Sequence, residues 1–318
     1  MRGLALYMTV LMGLLNIHPG LAEEQSGVSA LLAARLEQER AANRENMVPV
    51  KFGRGQLRDA NATEVLAVLS SYQNDPCWPV RHLAFRYAVW LAELQPQPAT
   101  RSEVVKQLLQ GFIKGADRQA ANWLLTFKAE DFSGESKALI RQSLAKERPS
   151  RGIVLVCGVA CMEDQLPILE KMLIDEMKPQ AKVERQHGGI TWYYTRGWAA
   201  RLARARMGVK EDINKCLELV ETVEDLDRRV ITLLRDVGYI RQQEAIEHLQ
   251  KYLESDKRLS PVSPPVPGKP VASCVLDILI DCLKDFPVVR KPGRGYKAEQ
   301  IEQARQWMKQ QKQWNIIR

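Results

Sequence analysis

The most restrictive feature of this chain is a two-helix phrase that returns along most of its length. Residues 80–94, VRHLAFRYAVWLAEL, place Val80, Leu83, Ala84, Tyr87, Ala88 and Leu91 at the i, i+3, i+4, i+7 spacing of one helix face. The breaker Gln95-Pro96-Gln97-Pro98 follows, and residues 102–112 then carry Val105, Leu108, Leu109 and Phe112 on one side before Gly115, Ala116 and Asp117 close the unit. The phrase recurs as residues 118–127 with 137–146, 151–162 with 166–174, 190–207 with 210–223, 226–240 with 243–254, and 271–286 with 298–313. First helices begin near positions 80, 117, 151, 191, 226 and 271, in steps of about 35 residues with two stretched by insertions. A helical hairpin of this size cannot bury its own apolar stripe, so it must stack on its neighbours. Period-2 alternation of β-branched residues is almost absent, which argues against strands. The chain is predicted to be all-α.

Three turns carry a family resemblance. Asp75 with Pro79-Val80-Arg81 leads into a first helix, and VGYIRQQEAIEHL (237–249) and CGVACMEDQLPIL (157–169) each end a helix in small residues, cross a short polar loop and open the next on an apolar pair. Over residues 60–313 the chain resembles the HEAT-repeat family, although residues 116–127 blur the pattern. The resemblance implies a right-handed α-solenoid of about six HEAT-like hairpins with an N-terminal helical cap. It also implies that second helices line the partner surface, which here means exposed positions of 102–111, 210–221, 243–254 and 298–313. The expected organisation is a signal peptide over 1–22, an N-terminal helix (29–45) and loop over 23–60, and the solenoid over 61–318. Within the solenoid, 257–270 reads as a Pro-rich insertion and 284–318 as a basic C-terminal segment.

The first 22 residues suggest export. Arg2 precedes the apolar run from Leu4 to Ile17, and Gly20-Leu21-Ala22 supplies the small residues of a cleavage site before Glu23; an uncleaved anchor is the alternative. The expected location is periplasmic or secreted. Removing those residues takes away Arg2 and no acid, leaving 45 basic against 38 acidic residues. Nine Lys/Arg against three acids lie in 284–318, so the body is near neutral and the C-terminal segment carries most of the charge. An acidic protein or an anionic surface would complement it. Six cysteines sit mostly inside apolar helical patterns, where a thiol packs as a small hydrophobe, and at most one or two bridges are expected. Cys157 and Cys161, one turn apart in CGVAC, read as small core residues.

Catalytic patterns are missing. Beyond the leader the histidines are His82, His187 and His248, none paired at i+3 or i+4, and there is no C-x-x-C, so no metal is expected. No G-x-S-x-G elbow is present, and Gly53-Arg54-Gly55 and Gly293-Arg294-Gly295 do not belong to phosphate loops. No catalytic residue and no cofactor are expected. The candidate partner-binding residues are basic: Arg196, Arg201 and Arg204 in HGGITWYYTRGWAARLARAR (187–206), where aromatics interleave with arginines, and Arg290, Lys291, Arg294, Lys309 and Lys312 near the C-terminus. In the first group Tyr194, Trp198, Leu202 and Ala205 form an apolar arc, and packing competes with binding as its explanation. The reading is a scaffold for a protein or peptide. Nucleic-acid binding of a glycosylase-like kind and a tetrapyrrole lyase- or chaperone-like role are the alternatives, and export argues against the first.

Overall fold

The structure, a computed structural model, describes residues 21–41, 52–115, 119–177, 195–261, 267–290, 295–311 and 313–318. Among these the chain is all-helical apart from two isolated antiparallel bridges, Arg258–Pro270 and Leu283–Ile316. None of the described helices is long and apolar enough to cross a membrane. The apolar run of residues 4–17, and hence most of the expected signal peptide, lies outside the described residues. The chain packs as two units, the first ending at Leu124 and the second running from Leu125 to Arg318.

The first unit contains α1 (Leu21–Ala41), α2 (Ala62–Tyr72), α3 (Trp78–Leu94), α4 (Pro98–Ile113) and α5 (Ala120–Leu124). The expected N-terminal helix starts earlier than residue 29 and docks firmly: Leu32 and Leu36 are fully buried, and α1 packs on both α2 and α3. Asn61 caps α2, its side-chain oxygen Oδ1 accepting the Thr63 and Glu64 amides at 3.1 and 3.4 Å. The Asp75/Pro-Val-Arg pattern is a structural clasp. Buried Asp75 accepts the Cys77 amide at 2.8 Å and pairs with Arg40, while Arg81 donates to the Asp75 and Pro76 carbonyls. Helix α4 begins a turn before the expected 102, because Pro98 at a first-turn position loses no intrahelical bond and has its φ already set. Gly111 lets α4 meet Phe85 of α3, since a Cβ there would fall 2.1 Å from the ring.

The second unit holds α6 (Gly134–Leu144), α7 (Arg151–Val159), α8 (Leu166–Met177), α9 (Arg196–Arg206) and α10 (Lys210–Glu221). After them come α11 (Leu226–Arg228), α12 (Leu234–Ile240), α13 (Gln243–Leu253), α14 (Val271–Cys282) and α15 (Ala298–Gln310). One turn of π-helix, Arg229–Leu233, joins α11 to α12, so the helix expected over 226–240 is continuous but widened in its middle. In packing order, α7 lies against α9, α9 against α12 and α12 against α14; α10 lies against α13 and α13 against α15. Gly158 permits the approach of α7 to α9: a Cβ there would sit 2.7 Å from the Ala203 Cα and 2.2 Å from the Tyr239 hydroxyl.

One expectation for CGVAC is corrected. Cys157 is fully buried, but α7 ends at Val159, and Cys161 lies exposed in the left-handed region at φ 51°. Helical phase does not extend past the last helical residue, so the two thiols do not share a face. No two of the six cysteines are bonded to each other.

Candidate functional site

The aromatic and basic stretch around residue 200 is mostly interior. Thr195 caps α9, accepting the Trp198 amide at 3.1 Å, and this phase turns Trp198, Leu202 and Ala205 into the core as expected. The Trp198 indole N–H donates to Asp236 at 2.7 Å, and Arg151 of α7 faces the same carboxyl at 3.5 Å. Burial pushes the Asp236 carboxyl above its ordinary value, with Arg151 and Trp198 opposing that shift. Arg201 and Arg204 both turn onto Asp212 of α10, at 2.8 and 2.6 Å, and Asp212 is 2% exposed. These two candidate binding arginines therefore tie α9 to α10. Buried Arg206 donates to the Tyr239 carbonyl at 2.6 Å and lies over the Tyr239 ring, and burial lowers its pKa to about 10. Arg196 sits at the start of α9, partly exposed. Residues 187–194 are outside the described residues.

The C-terminal candidates are divided. Arg290 contacts Asp281 at 3.0 Å and Asp277 at 3.5 Å, and Asp277 also receives Lys269 (2.8 Å) and the Tyr296 hydroxyl (2.7 Å). Burial alone would raise the Asp277 carboxyl, but these donors and charges together hold it below the ordinary value. Asp277 thus pins the residues that follow the Pro-rich excursion and those that flank the basic turn. Lys309 is exposed and 3.3 Å from Glu254. Lys291, Arg294 and Lys312 lie outside the described residues. The last residues return to the second unit: Asn315 accepts the Lys284 amide, the Ile317 amide donates to Cys282, and Arg241 donates to Ile317.

A different place brings functional groups together. Between α10, the π turn and α13 lies an open cleft of about 570 Å³, within the range of small-ligand and side-chain pockets. Leu217 and Leu226 give it an apolar side. Its polar side centres on Glu221, which accepts from the Tyr252 hydroxyl at 2.7 Å and from Arg229 at 2.9 Å. Arg229 is held in turn on the Val223 carbonyl at 2.8 Å. Burial, then the bond to Glu221, pushes the Tyr252 phenol up to about 12. His248 is 5% exposed, and its Nε2 lies 3.0 Å from Glu221 without the alignment of a hydrogen bond, so that nitrogen makes no hydrogen bond among the described residues. Burial lowers the His248 pKa and keeps the ring neutral at pH 7. Lys251 and Lys257 stand exposed at the cleft with no carboxylate paired to either among the described residues.

No hydrogen bond joins the cleft's histidine to a hydroxyl or thiol among the described residues. The Ser255 hydroxyl accepts the Lys257 amide at 3.2 Å, and no thiol lines the cavity. Among the described residues no group of His, Cys, Asp and Glu is arranged to hold a metal ion. What the arrangement offers is recognition: a fixed carboxylate, phenol and guanidinium on the floor, an apolar wall, and two unpaired ammonium groups. Sequence reasoning pointed to residues 210–221 and 243–254 as surface but missed this constellation. The one available signal was a histidine among the buried positions Ala245, Ile246, Leu249 and Leu253 of α13, one turn before Tyr252. Comparison of the chain with family models, with proteins of curated function and with solved structures returned no match.

Proposed function

We propose that this chain is a non-enzymatic scaffold of HEAT-like helical hairpins, exported to the periplasm or beyond, that binds a protein or peptide partner on the second-helix side of its second unit. The observation that carries the reading is the position of the cleft. Its walls come mainly from the consecutive second helices α10 and α13 and the residues just after α13, with Leu226 and Arg229 from the start of the first helix between them and nothing from α7, α9 or α14. The neighbour-to-neighbour packing of first helices on first helices, and of α10, α13 and α15 in succession, supports a solenoid-like stack in this unit.

Panning the full chain against a displayed random peptide library tests the reading. The expected result is an enriched peptide family whose binding is lost in Leu217→Arg, with helical content unchanged. No enrichment, or enriched peptides that bind Leu217→Arg as they bind the wild type, would overturn it. Export is tested separately by sequencing the N-terminus of fractionated protein, where a start at Glu23 outside the cytoplasm is expected.

A further inference from the structure

We infer that the cleft between α10 and α13 recognises the carboxylates of an acidic, partly apolar peptide segment. The inference rests on the peptide-binding reading above and names its ligand class. Among the residues that line the cleft, charge is unbalanced in one direction: Arg229 is matched by Glu221, yet Lys251 and Lys257 have no acid paired to them among the described residues. With His248 neutral, the cleft keeps an excess of positive charge at the side facing solvent. On the floor the His248 Nε2 is covered and lies 3.0 Å from Glu221 without an aligned hydrogen bond, and the neutral ring adds no charge to that of the two lysines. A carboxylate entering past Lys251 would meet two ammonium groups at the rim, and Leu217 and Leu226 would cover an adjoining apolar side chain. Glu221 does not oppose this strongly, because Arg229 and the Tyr252 hydroxyl already engage both of its oxygens.

Lys and Arg on such a surface also attract nucleic acid, but the cleft has no exposed aromatic platform for a base. Tyr252 is turned inward onto Glu221 and sits beside the His248 ring. The observations therefore favour a peptide.

The test uses two labelled peptides in fluorescence anisotropy with the full chain, one alternating glutamate with leucine and one alternating glutamine with leucine. The acidic peptide is expected to bind at least about tenfold more tightly, with the advantage shrinking as salt rises. The double variant Lys251→Glu/Lys257→Glu should erase that preference, while Lys146→Glu, an exposed lysine outside the cleft, should keep it. Equal binding of the two peptides, retention of the preference in the double variant, or tighter binding of a single-stranded oligonucleotide would overturn the inference. Library peptides that still depend on Leu217 would, in those cases, leave the broader peptide-binding reading standing. If no peptide binds by either route, both fall.

Discussion

His248 shows how burial becomes a pH dependence. Its folded pKa lies below the ordinary 6.5, chiefly because burial disfavours the imidazolium, with Glu221 pulling the other way. The native state therefore binds fewer protons than the unfolded chain over the interval between the folded pKa and 6.5, and stability falls as pH drops through that interval. Urea unfolding at pH 7.5 and at pH 5.5 should show the wild type losing stability that His248→Gln does not lose; parallel losses in the two proteins would show that His248 is not responsible. This residue was nearly invisible in the sequence. A lone histidine on an apolar helix face reads as core, and nothing in residues 243–254 reports that Glu221, on the preceding second helix, would face it. Cys161 failed for a related reason: its spacing from Cys157 was legible, but the end of α7 between them depends on where the backbone leaves the helix.

At the scale of elements, the tie between α9 and α10 is a buried electrostatic contact. Asp212 is buried and takes both Arg201 and Arg204, which retain only 17% and 12% of their side-chain exposure. Removing the acid leaves two guanidiniums without their partner in a dry site, and such losses cost about 3–5 kcal/mol. Asp212→Ala should lower the unfolding free energy by about that amount, and replacing all three residues with apolar ones of similar size should cost much less. A loss below about 1 kcal/mol in Asp212→Ala would mean that the arginines find water or Glu170 instead. The helices themselves were readable because their apolar period survives in isolation, and most observed bounds fall within a few residues of the expected ones. What the period cannot show is the object that an off-stripe residue meets. Arg201 and Arg204 leave the apolar arc of α9 and, on a wheel, point to solvent, yet the short turn at Met207–Val209 brings Asp212 under them. Interruptions were also illegible: the π turn at Arg229–Leu233 keeps the spacing of buried Val230, Leu233 and Leu234 and so hides inside an ordinary pattern.

For the whole molecule, the division after Leu124 could not be read from the sequence, because the two-helix phrase runs through it and only the short α5 marks the place. Each unit has its own core, around Leu36, Phe85 and Leu108 in the first and around Val156, Leu202, Val237 and Leu276 in the second. The C-terminal residues belong to the second of these. Asn315 accepts the Lys284 amide at 2.9 Å and the Ile317 amide reaches the Cys282 carbonyl at 2.8 Å, so deleting residues 314–318 should expose the end of α14. Hydrogen exchange reads this directly: the Lys284 amide should be protected in the full chain and exchange at least about tenfold faster in the truncated one. Unchanged protection would show that this amide is held by something other than the tail.

The unpaired cysteines have a consequence for measurement. Burial pushes the thiols of Cys157, Cys216 and Cys282 up, Cys157 to about 12, so a thiol-directed dye meets neither a thiolate nor an accessible sulfur at these positions in the folded second unit. Cys161, exposed at the surface of the same unit, remains open to the dye throughout. The second unit therefore carries a built-in clock: exposed Cys161, with half-buried Cys274 beside it in the count, marks the start of labelling, and the pace at which the three hidden thiols follow counts how often the unit opens.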